Sequence, residues 1–172
     1  MMEKIKYPNG KFEYGKTYSS TDNNKNIQEI EVLPKKLKEL VATFSEAELN
    51  QSYREGGWSA KQIIHHIADS HMNAYIRTKL TLTENSPIIK PYNQDLWANL
   101  KDSELTPVSS SITLIELIHQ RWVLLLKNLS TSDFQKTYIH PEYNKTFQLD
   151  EMIALYAWHG NQHYAHLQLI KK

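Results

Sequence analysis

Three of the eight histidines of the chain lie in one short segment, WHGNQHYAH, at residues 158–166. His159 and His163 are four residues apart, so on an α-helix their side chains project from the same face, one turn apart. This is the spacing at which two imidazoles can bind one metal ion. His166 falls on that face as well, in a column that continues through apolar residues: Met152, Leu155 and Ile170.

The apolar column makes the segment informative, because a buried imidazole needs hydrogen-bond partners, and three stacked together are hard to satisfy without a bound ligand. Gly160, beside His159, costs about 1 kcal/mol in a helix interior, and a close backbone approach is one reason to accept that cost. The spacing alone is more often found for histidines that are exposed or hydrogen-bonded within the protein. A third ligand from elsewhere in the chain would favour a metal site.

The segment IIHHIADSHMN, residues 63–73, offers this third imidazole. His65 and His66 are consecutive and point about 100° apart, so they cannot both serve the same site. Periodicity alone does not choose between them. His71 lies inside the apolar stripe, where a core histidine with satisfied hydrogen bonds is the favoured interpretation. We favour His66 as the ligand, because its helical column is polar and suits a metal pocket: Ser59, Gln62, Ser70, Asn73 and Arg77.

The composition narrows both the chemistry and the partners. The chain has no cysteine, which excludes disulfides, thiolate nucleophiles and cysteine-ligated metals, so any metal must be held by imidazole or oxygen. Its 20 basic and 19 acidic residues give a formal charge of +1. We therefore expect that the protein binds neither nucleic acid nor an anionic membrane surface. No signal-peptide pattern and no run of about 18 apolar residues is present, so we expect a cytoplasmic protein.

Four amphipathic helices are predicted to position the histidines. Pro34 implies a start or a kink in the first helix, Ser59 opens the second with a capping-box pattern, and Asp150 is the expected N-cap of the fourth. We expect an all-α four-helix bundle with a long crossover between the second and third helices, forming a single domain over residues 1–172. Apolar spacing places the helices at residues 27–44, 59–82, 111–129 and 150–170.

The segments between these helices have weaker patterns. Residues 1–24 mix turn formers with tyrosines and predict an extended N-terminal arm that packs against the body of the protein. A short helix is expected at residues 94–100, within the crossover. A small hairpin is expected around Asn144 and Lys145.

Two similar segments precede the histidine-bearing helices: FSEAELNQSY at residues 44–53 and LSTSDFQKTY at residues 129–138. One interpretation is a bundle made of two helical hairpins related by a pseudo-twofold axis. The alternative is that both segments contain the common Ser-x-x-acidic capping pattern and nothing more.

Three longer stretches carry a family resemblance: YREGGWSAKQIIHHIADSHMNAYIRTKLTLTE, KPYNQDLWANLKDS and LYAWHGNQHYAH. With them the chain resembles the YfiT-like metal-dependent hydrolases, a branch of the DinB-like superfamily, over most of its length. The resemblance implies a four-helix bundle that binds one divalent ion per chain, zinc or nickel, and that forms a homodimer. The ligands would be the second histidine of the HH pair and two from the last helix, which here are His66, His159 and His163. That helix is often richer in histidine in the family than it is here, where Asn161 and Gln162 stand between the ligands.

Three neutral imidazoles leave an open fourth position on a tetrahedral zinc, which is typical of catalytic sites. Water activated in that position predicts a hydrolase that acts on a small-molecule substrate. The family resemblance also implies an alternative, a thiol S-transferase, in which the open position binds a low-molecular-weight thiol. A third hypothesis is a non-catalytic metal-binding bundle, in which a protein ligand, His166 or Asp69, closes the site.

The other candidate residues have weaker signals. Asp69, three residues after His66, is expected either to orient a ligating imidazole or to be a solvated surface aspartate. Trp58 and Trp158 are expected to pack in the core. Six polar residues could line the mouth of the site: Arg54, Glu55, Asn73, Arg77, Arg121 and Glu142.

Overall fold

The computed structural model describes residues 2–171 and contains four long helices, five short ones and one hairpin over that range. In chain order the elements are α1 (Met2–Lys6), α2 (Ser20–Val41), α3 (Glu46–Leu49), α4 (Ala60–Thr83), α5 (Gln94–Ala98), α6 (Lys101–Leu105), α7 (Val108–Leu126), α8 (Thr131–Phe134), β1 (Thr137–His140), β2 (Lys145–Gln148) and α9 (Leu149–Ile170).

The four long helices form the predicted four-helix bundle. Helices α2 and α4 each pack against both α7 and α9, so α2 lies diagonally opposite α4, and α7 lies diagonally opposite α9. Apolar side chains fill the interior in two clusters, one around Trp122 and Met152 and the other around Leu37 and Ile64. Between residues 2 and 171, no helix combines the length and the apolar character needed to cross a membrane.

The two similar segments that precede α4 and α9 have the same local structure. Ser45 caps α3 and Ser130 caps α8, each in a capping box with the acidic residue three positions later. The interpretation as two helical hairpins is wrong, however, because α2 and α4 are not neighbours in the bundle. The two segments share the capping box, and the packing of α2 on α9 and of α7 on α4 is compatible with a pseudo-twofold axis.

Helix α2 begins at Ser20, earlier than the predicted start at Ile27. Its first turns are polar and, apart from the buried Asn23, largely exposed, so the apolar spacing did not include them, although Ser19 forms a capping box with Asp22. Pro34 lies inside this helix and neither starts it nor ends it. The missing N–H of Pro34 leaves the carbonyl of Ile30 without its helical donor.

The predicted arm over residues 1–24 is therefore too long at its C-terminal side, and residues 2–6 form α1; residue 1 lies outside the described residues. The remaining segment, residues 7–19, has no helix or strand and packs along α9. The Trp158 indole N–H donates to the carbonyl of Gly10 at 3.1 Å, and the backbone N–H of Asn9 donates to Gln162 Oε1 at 3.1 Å.

Two further helix starts differ from the predictions. Helix α7 begins at Val108 rather than Ser111, because Pro107 at the N-cap supplies a φ of −59°, which suits a helix start. Asp150 is not the N-cap of α9: β2 runs directly into the helix, Gln148 is the N-cap, and Asp150 lies in the first turn. A carboxylate there still interacts favourably with the helix dipole.

Residues 84–107 connect α4 with α7 and contain α5 and α6, where one short helix was expected. The predicted hairpin is present as β1 and β2, which pair antiparallel across a turn in which Asn144 has a φ of 46°. It is the exception to an otherwise helical fold. The backbone N–H of Ile139 donates to the carbonyl of Pro87 at 2.9 Å, which ties the hairpin to the connection.

Candidate metal centre

One histidine of α4 and two of α9 converge between these neighbouring helices. One ring nitrogen from each of His66, His159 and His163 lies within 4.8 Å of the other two. The Nε2 atoms of His66 and His159 are 3.1 Å apart. Because α4 packs against α9, the four-residue spacing on α9 places both of its imidazoles opposite His66.

His65 lies on a different face of α4. Its Nδ1 is 2.7 Å from the hydroxyl oxygen of Ser111 on α7, and burial lowers its pKa. The ambiguity between the two consecutive histidines is thus resolved by the packing of α4, which turns His66 towards α9 and His65 towards α7.

Burial lowers the pKa of all three imidazoles of the cluster. Burial and then the neighbouring His159 hold the pKa of His66 well below its usual value. Burial and then His166 lower the pKa of His159 to about 4. The pKa of His163 is also held well below its usual value, by burial first and then by His159 and His66. The rings are therefore neutral at neutral pH, the form in which imidazole binds a metal.

The donor set fits a divalent ion such as zinc. Two nitrogens bound to one tetrahedral Zn²⁺ at about 2.0–2.1 Å lie roughly 3.3 Å apart. The 3.1 Å between the Nε2 atoms of His66 and His159 is close to that separation. Two unprotonated nitrogens at this distance repel each other unless a cation or a proton lies between them, so the cluster suits a bound cation.

A cleft of about 790 Å³ opens beside His159 and His163, both of which keep a partly accessible edge. Trp58 lines the cleft with its ring centroid 4.6 Å from that of His66 and 6.1 Å from that of His163. Trp58 thus contacts the cluster itself and is not only a packing residue. Lys6, Arg54 and Asp95 are the charged residues along the walls.

Neither of the two candidates for a fourth ligand joins the group. His166 has both ring nitrogens engaged, with Nε2 at 3.1 Å from the carbonyl of Lys6 and Nδ1 at 3.4 Å from Nδ1 of His163. Burial, and then the charge of Asp102, raise the pKa of Asp69 to about 6. Within residues 2–171, the carboxylate of Asp69 makes no hydrogen bond to a histidine. No fourth histidine or carboxylate of the described chain joins the group.

The predicted mouth residues divide between two cavities. Arg54 lines the cleft, whereas Arg77 and Glu142 line a second cavity of about 410 Å³ that also borders His159. In the second cavity the guanidinium of Arg77 donates to the hydroxyl of Tyr156 at 3.3 Å and to the carbonyl of Lys90 at 3.1 Å. Three of the predicted residues line neither cavity: Glu55, Asn73 and Arg121.

Sequence reasoning missed His119 of α7. His71 Nε2 lies 3.3 Å from Nδ1 of His159, and His71 Nδ1 lies 2.9 Å from Nε2 of His119. His119 Nδ1 lies 2.6 Å from the carbonyl oxygen of Ile30. His71 is a buried core histidine, as expected, but it also contacts the cluster. The available signal was a histidine next to Ile118 and Trp122 in an apolar helix face.

Gly160 provides the close helix approach that its position indicated. A Cβ at this residue would lie 2.4 Å from Cδ2 of Leu33 and 3.5 Å from Cε1 of His71. The glycine therefore lets α2 approach α9 directly beside His159.

Comparison with known proteins agrees with this fold. The sequence profile of the DinB superfamily matches residues 29–167. A protein of Oceanobacillus iheyensis named "Putative metal-dependent hydrolase" is 46% identical over 167 residues, which cover 97% of this chain and 96% of that protein. A Bacillus cereus protein of the same name is 45% identical over 171 residues, covering 99% and 98%.

Among solved structures, YfiT from Bacillus subtilis, described as "a probable metal-dependent hydrolase with an unusual four-helix bundle topology", superposes with a TM-score of 0.95. The two sequences are 39% identical, and the match covers 98% of this chain and 96% of YfiT. The chain belongs to the DinB superfamily.

Proposed function

We propose that the protein is a metal-dependent hydrolase whose metal ion is held by His66, His159 and His163. The observation that carries the proposal is the convergence of three neutral imidazoles beside a cleft, with no fourth histidine or carboxylate of residues 2–171 in the group. Catalytic zinc sites keep an open position, whereas structural zinc sites are closed by four protein ligands. The names of the relatives, "Putative metal-dependent hydrolase", support the same activity.

Zinc is the metal we propose first and nickel second, at one ion per chain, because an all-imidazole donor set suits both. When bound, the ion would polarise a substrate carbonyl and lower the pKa of water in its open position towards about 7.

The chain itself would bind and shield the substrate. Trp58 packs across His66 and His163 and limits the approach of bulk water to them. Lys6 and Arg54 outnumber Asp95 along the cleft, which favours a substrate whose reacting oxygen gains negative charge. Arg54 is held in place because its Nε–H donates to the hydroxyl of Tyr53 at 3.0 Å.

The size of the cleft and the charge of the chain favour a small-molecule substrate over nucleic acid. A cleft of about 790 Å³ has the size of a small-molecule site. The balanced charge of the chain argues against nucleic acid as a partner. We further propose a homodimer, which rests on the family resemblance, and a cytoplasmic location.

A paired activity screen tests the proposal. The metal-loaded protein is assayed on activated esters and amides, and on electrophiles, each with and without a low-molecular-weight thiol. His163→Ala is the blank, because it removes one proposed ligand from the cleft side. We expect hydrolysis above this blank that needs no thiol and is abolished by a chelator.

Each other outcome contradicts the hydrolase in a distinct way. Product that forms only with thiol and electrophile together would identify the thiol S-transferase. No turnover by a protein that holds its metal with four protein ligands would identify a non-catalytic metal-binding bundle.

A further inference from the structure

Pro34 lies inside α2 and changes the hydrogen bonding of the preceding turn. In a regular helix the carbonyl of Ile30 accepts the N–H of residue 34, but proline has no N–H and its ring pushes that carbonyl aside. Ile30 is only 1% exposed, so water does not reach it readily. The carbonyl instead accepts from Nδ1 of His119 at 2.6 Å. A proline in one helix thus gives a histidine of another helix a fixed acceptor.

This acceptor sets the direction of a chain of imidazoles. A carbonyl oxygen can only accept, so the proton of neutral His119 is on Nδ1 and its Nε2 is an acceptor. Nδ1 of His71, 2.9 Å from that Nε2, must then be the donor. Nε2 of His71 is left as an acceptor for Nδ1–H of His159, 3.3 Å away. The remaining nitrogen of His159, Nε2, is unprotonated and faces the cluster.

The opposite direction fails at the carbonyl. If His159 carried its proton on Nε2, His71 and then His119 would have to donate through Nε2 as well. His119 Nδ1 would then point a lone pair at the Ile30 oxygen at 2.6 Å, which is repulsive. A doubly protonated ring is also disfavoured, because His71 and His119 are 0% and 2% exposed and burial opposes the charged form.

We propose that Pro34, His119 and His71 are positioning residues that hold His159 in the Nδ1–H tautomer and so present its Nε2 to the metal. The inference rests on the proposed function for the metal, but not for the tautomer, which the hydrogen-bond chain sets in the metal-free protein too. Metal-binding histidines generally donate their second ring N–H to a carbonyl or carboxylate. Here two further imidazoles connect that N–H to a carbonyl on a different helix.

The tautomers are tested first, in the metal-free full-length protein, by long-range ¹H–¹⁵N correlation spectra of the histidine rings. We expect the proton on Nδ1 in His159, His71 and His119. His159 should lose this preference in His119→Leu, which has no acceptor, and keep it in His119→Gln, whose amide offers both an acceptor and a donor. A proton on Nε2 of His159 in the unmodified protein would overturn the inference, whatever the metal does.

The zinc affinity is measured next, by competition with a chromophoric chelator. We expect His119→Leu to weaken zinc binding about 10–100-fold, the usual cost of losing such a support, and His119→Gln to recover most of it. His65→Ala is the matched control. His65 is also a buried histidine, but it is hydrogen-bonded to Ser111 and takes no part in the hydrogen-bond chain from His159 to the Ile30 carbonyl. It should bind zinc like the unmodified protein.

Pro34→Ala separates positioning from general stability. The restored N–H should draw the Ile30 carbonyl back into the helix, so the variant should be more stable to urea and yet bind zinc several-fold more weakly. This variant also keeps the test valid if His119→Leu does not fold. Equal zinc affinity in Pro34→Ala and the unmodified protein, together with an unchanged His159 tautomer in Pro34→Ala, would overturn the inference. If the unmodified protein binds no zinc, the proposed function fails and the tautomer spectra alone decide this inference.

Discussion

Helices α4 and α9 carry three histidines each, but they use them differently. On α9, His159, His163 and His166 follow one another along a single face, and the first two enter the cluster. On α4 the three histidines have three different partners. His66 faces His159 of α9, His65 is hydrogen-bonded to Ser111 of α7, and His71 is hydrogen-bonded to His119 of α7. The comparison shows that regular spacing defines the role of a histidine only where one helix face meets one partner. Where a helix contacts several partners, as α4 does, the role of each histidine depends on which neighbouring helix it faces.

The largest expected effect comes from the adjacent pair on α4. His66→Ala should lower zinc binding by more than about 100-fold, because loss of a ligand costs more than the 10–100-fold typical of a supporting hydrogen bond. His65→Ala should keep about one zinc per chain and lose only about 1 kcal/mol of stability, from the hydrogen bond to Ser111. Elemental analysis after dialysis measures the metal content. Full metal content in His66→Ala would remove His66 from the site and end the contrast between the two residues.

The candidate site was predictable where its residues lie on one helix. His159 and His163 follow from their spacing, and His66 could be preferred over His65 from the polar residues in its column. His119 could not be assigned a role, because that role depends on a carbonyl freed by Pro34 in another helix. No sequence pattern reports a contact between distant helices before the order of packing is known.

A second contrast concerns glycine, which α9 has at residue 160 and α4 lacks. In Gly160→Ala the new Cβ would lie 2.4 Å from Cδ2 of Leu33, and overpacking of this kind costs about 1–3 kcal/mol. Alanine recovers about 1 kcal/mol of helix propensity, so we expect a net loss of roughly 1 kcal/mol. Urea unfolding of the metal-free protein measures this change in the free energy of unfolding.

The control for this prediction is the same substitution in a Leu33→Ala background. With the contacting methyl removed, only the helix propensity remains, and Gly160→Ala should stabilise by about 1 kcal/mol. If the substitution has the same effect in both backgrounds, Gly160 is not needed for the approach of α2, and the difference between α9 and α4 has no packing cause.

The fold was predictable to the level of four amphipathic helices, because burial of one face imposes a periodicity that the sequence must show. The ends were less predictable. Helix α2 extends to Ser20 through polar turns that lack the apolar periodicity of the rest of the helix, and β2 continues into α9 without the cap expected at Asp150. The diagonal placement of α2 opposite α4, and of α7 opposite α9, has no local signal, since it is set by which apolar faces fit together.

The smallest expected effect lies in the short helices before α4 and α9. Ser45 and Ser130 make equivalent capping boxes, so Ser45→Ala and Ser130→Ala should each cost about 1 kcal/mol in the free energy of unfolding. Both sites are exposed and far from the histidines in sequence, so neither substitution should change zinc binding. Urea unfolding with the metal removed measures both. The acidic partners should differ slightly, because Glu48 also pairs with Lys171 beyond the end of α9, whereas Asp133 pairs with the nearby Lys136. Glu48→Ala should therefore destabilise the protein slightly more than Asp133→Ala. A clear difference between the two serine variants instead would show that the two segments share a sequence pattern but not an energetic role.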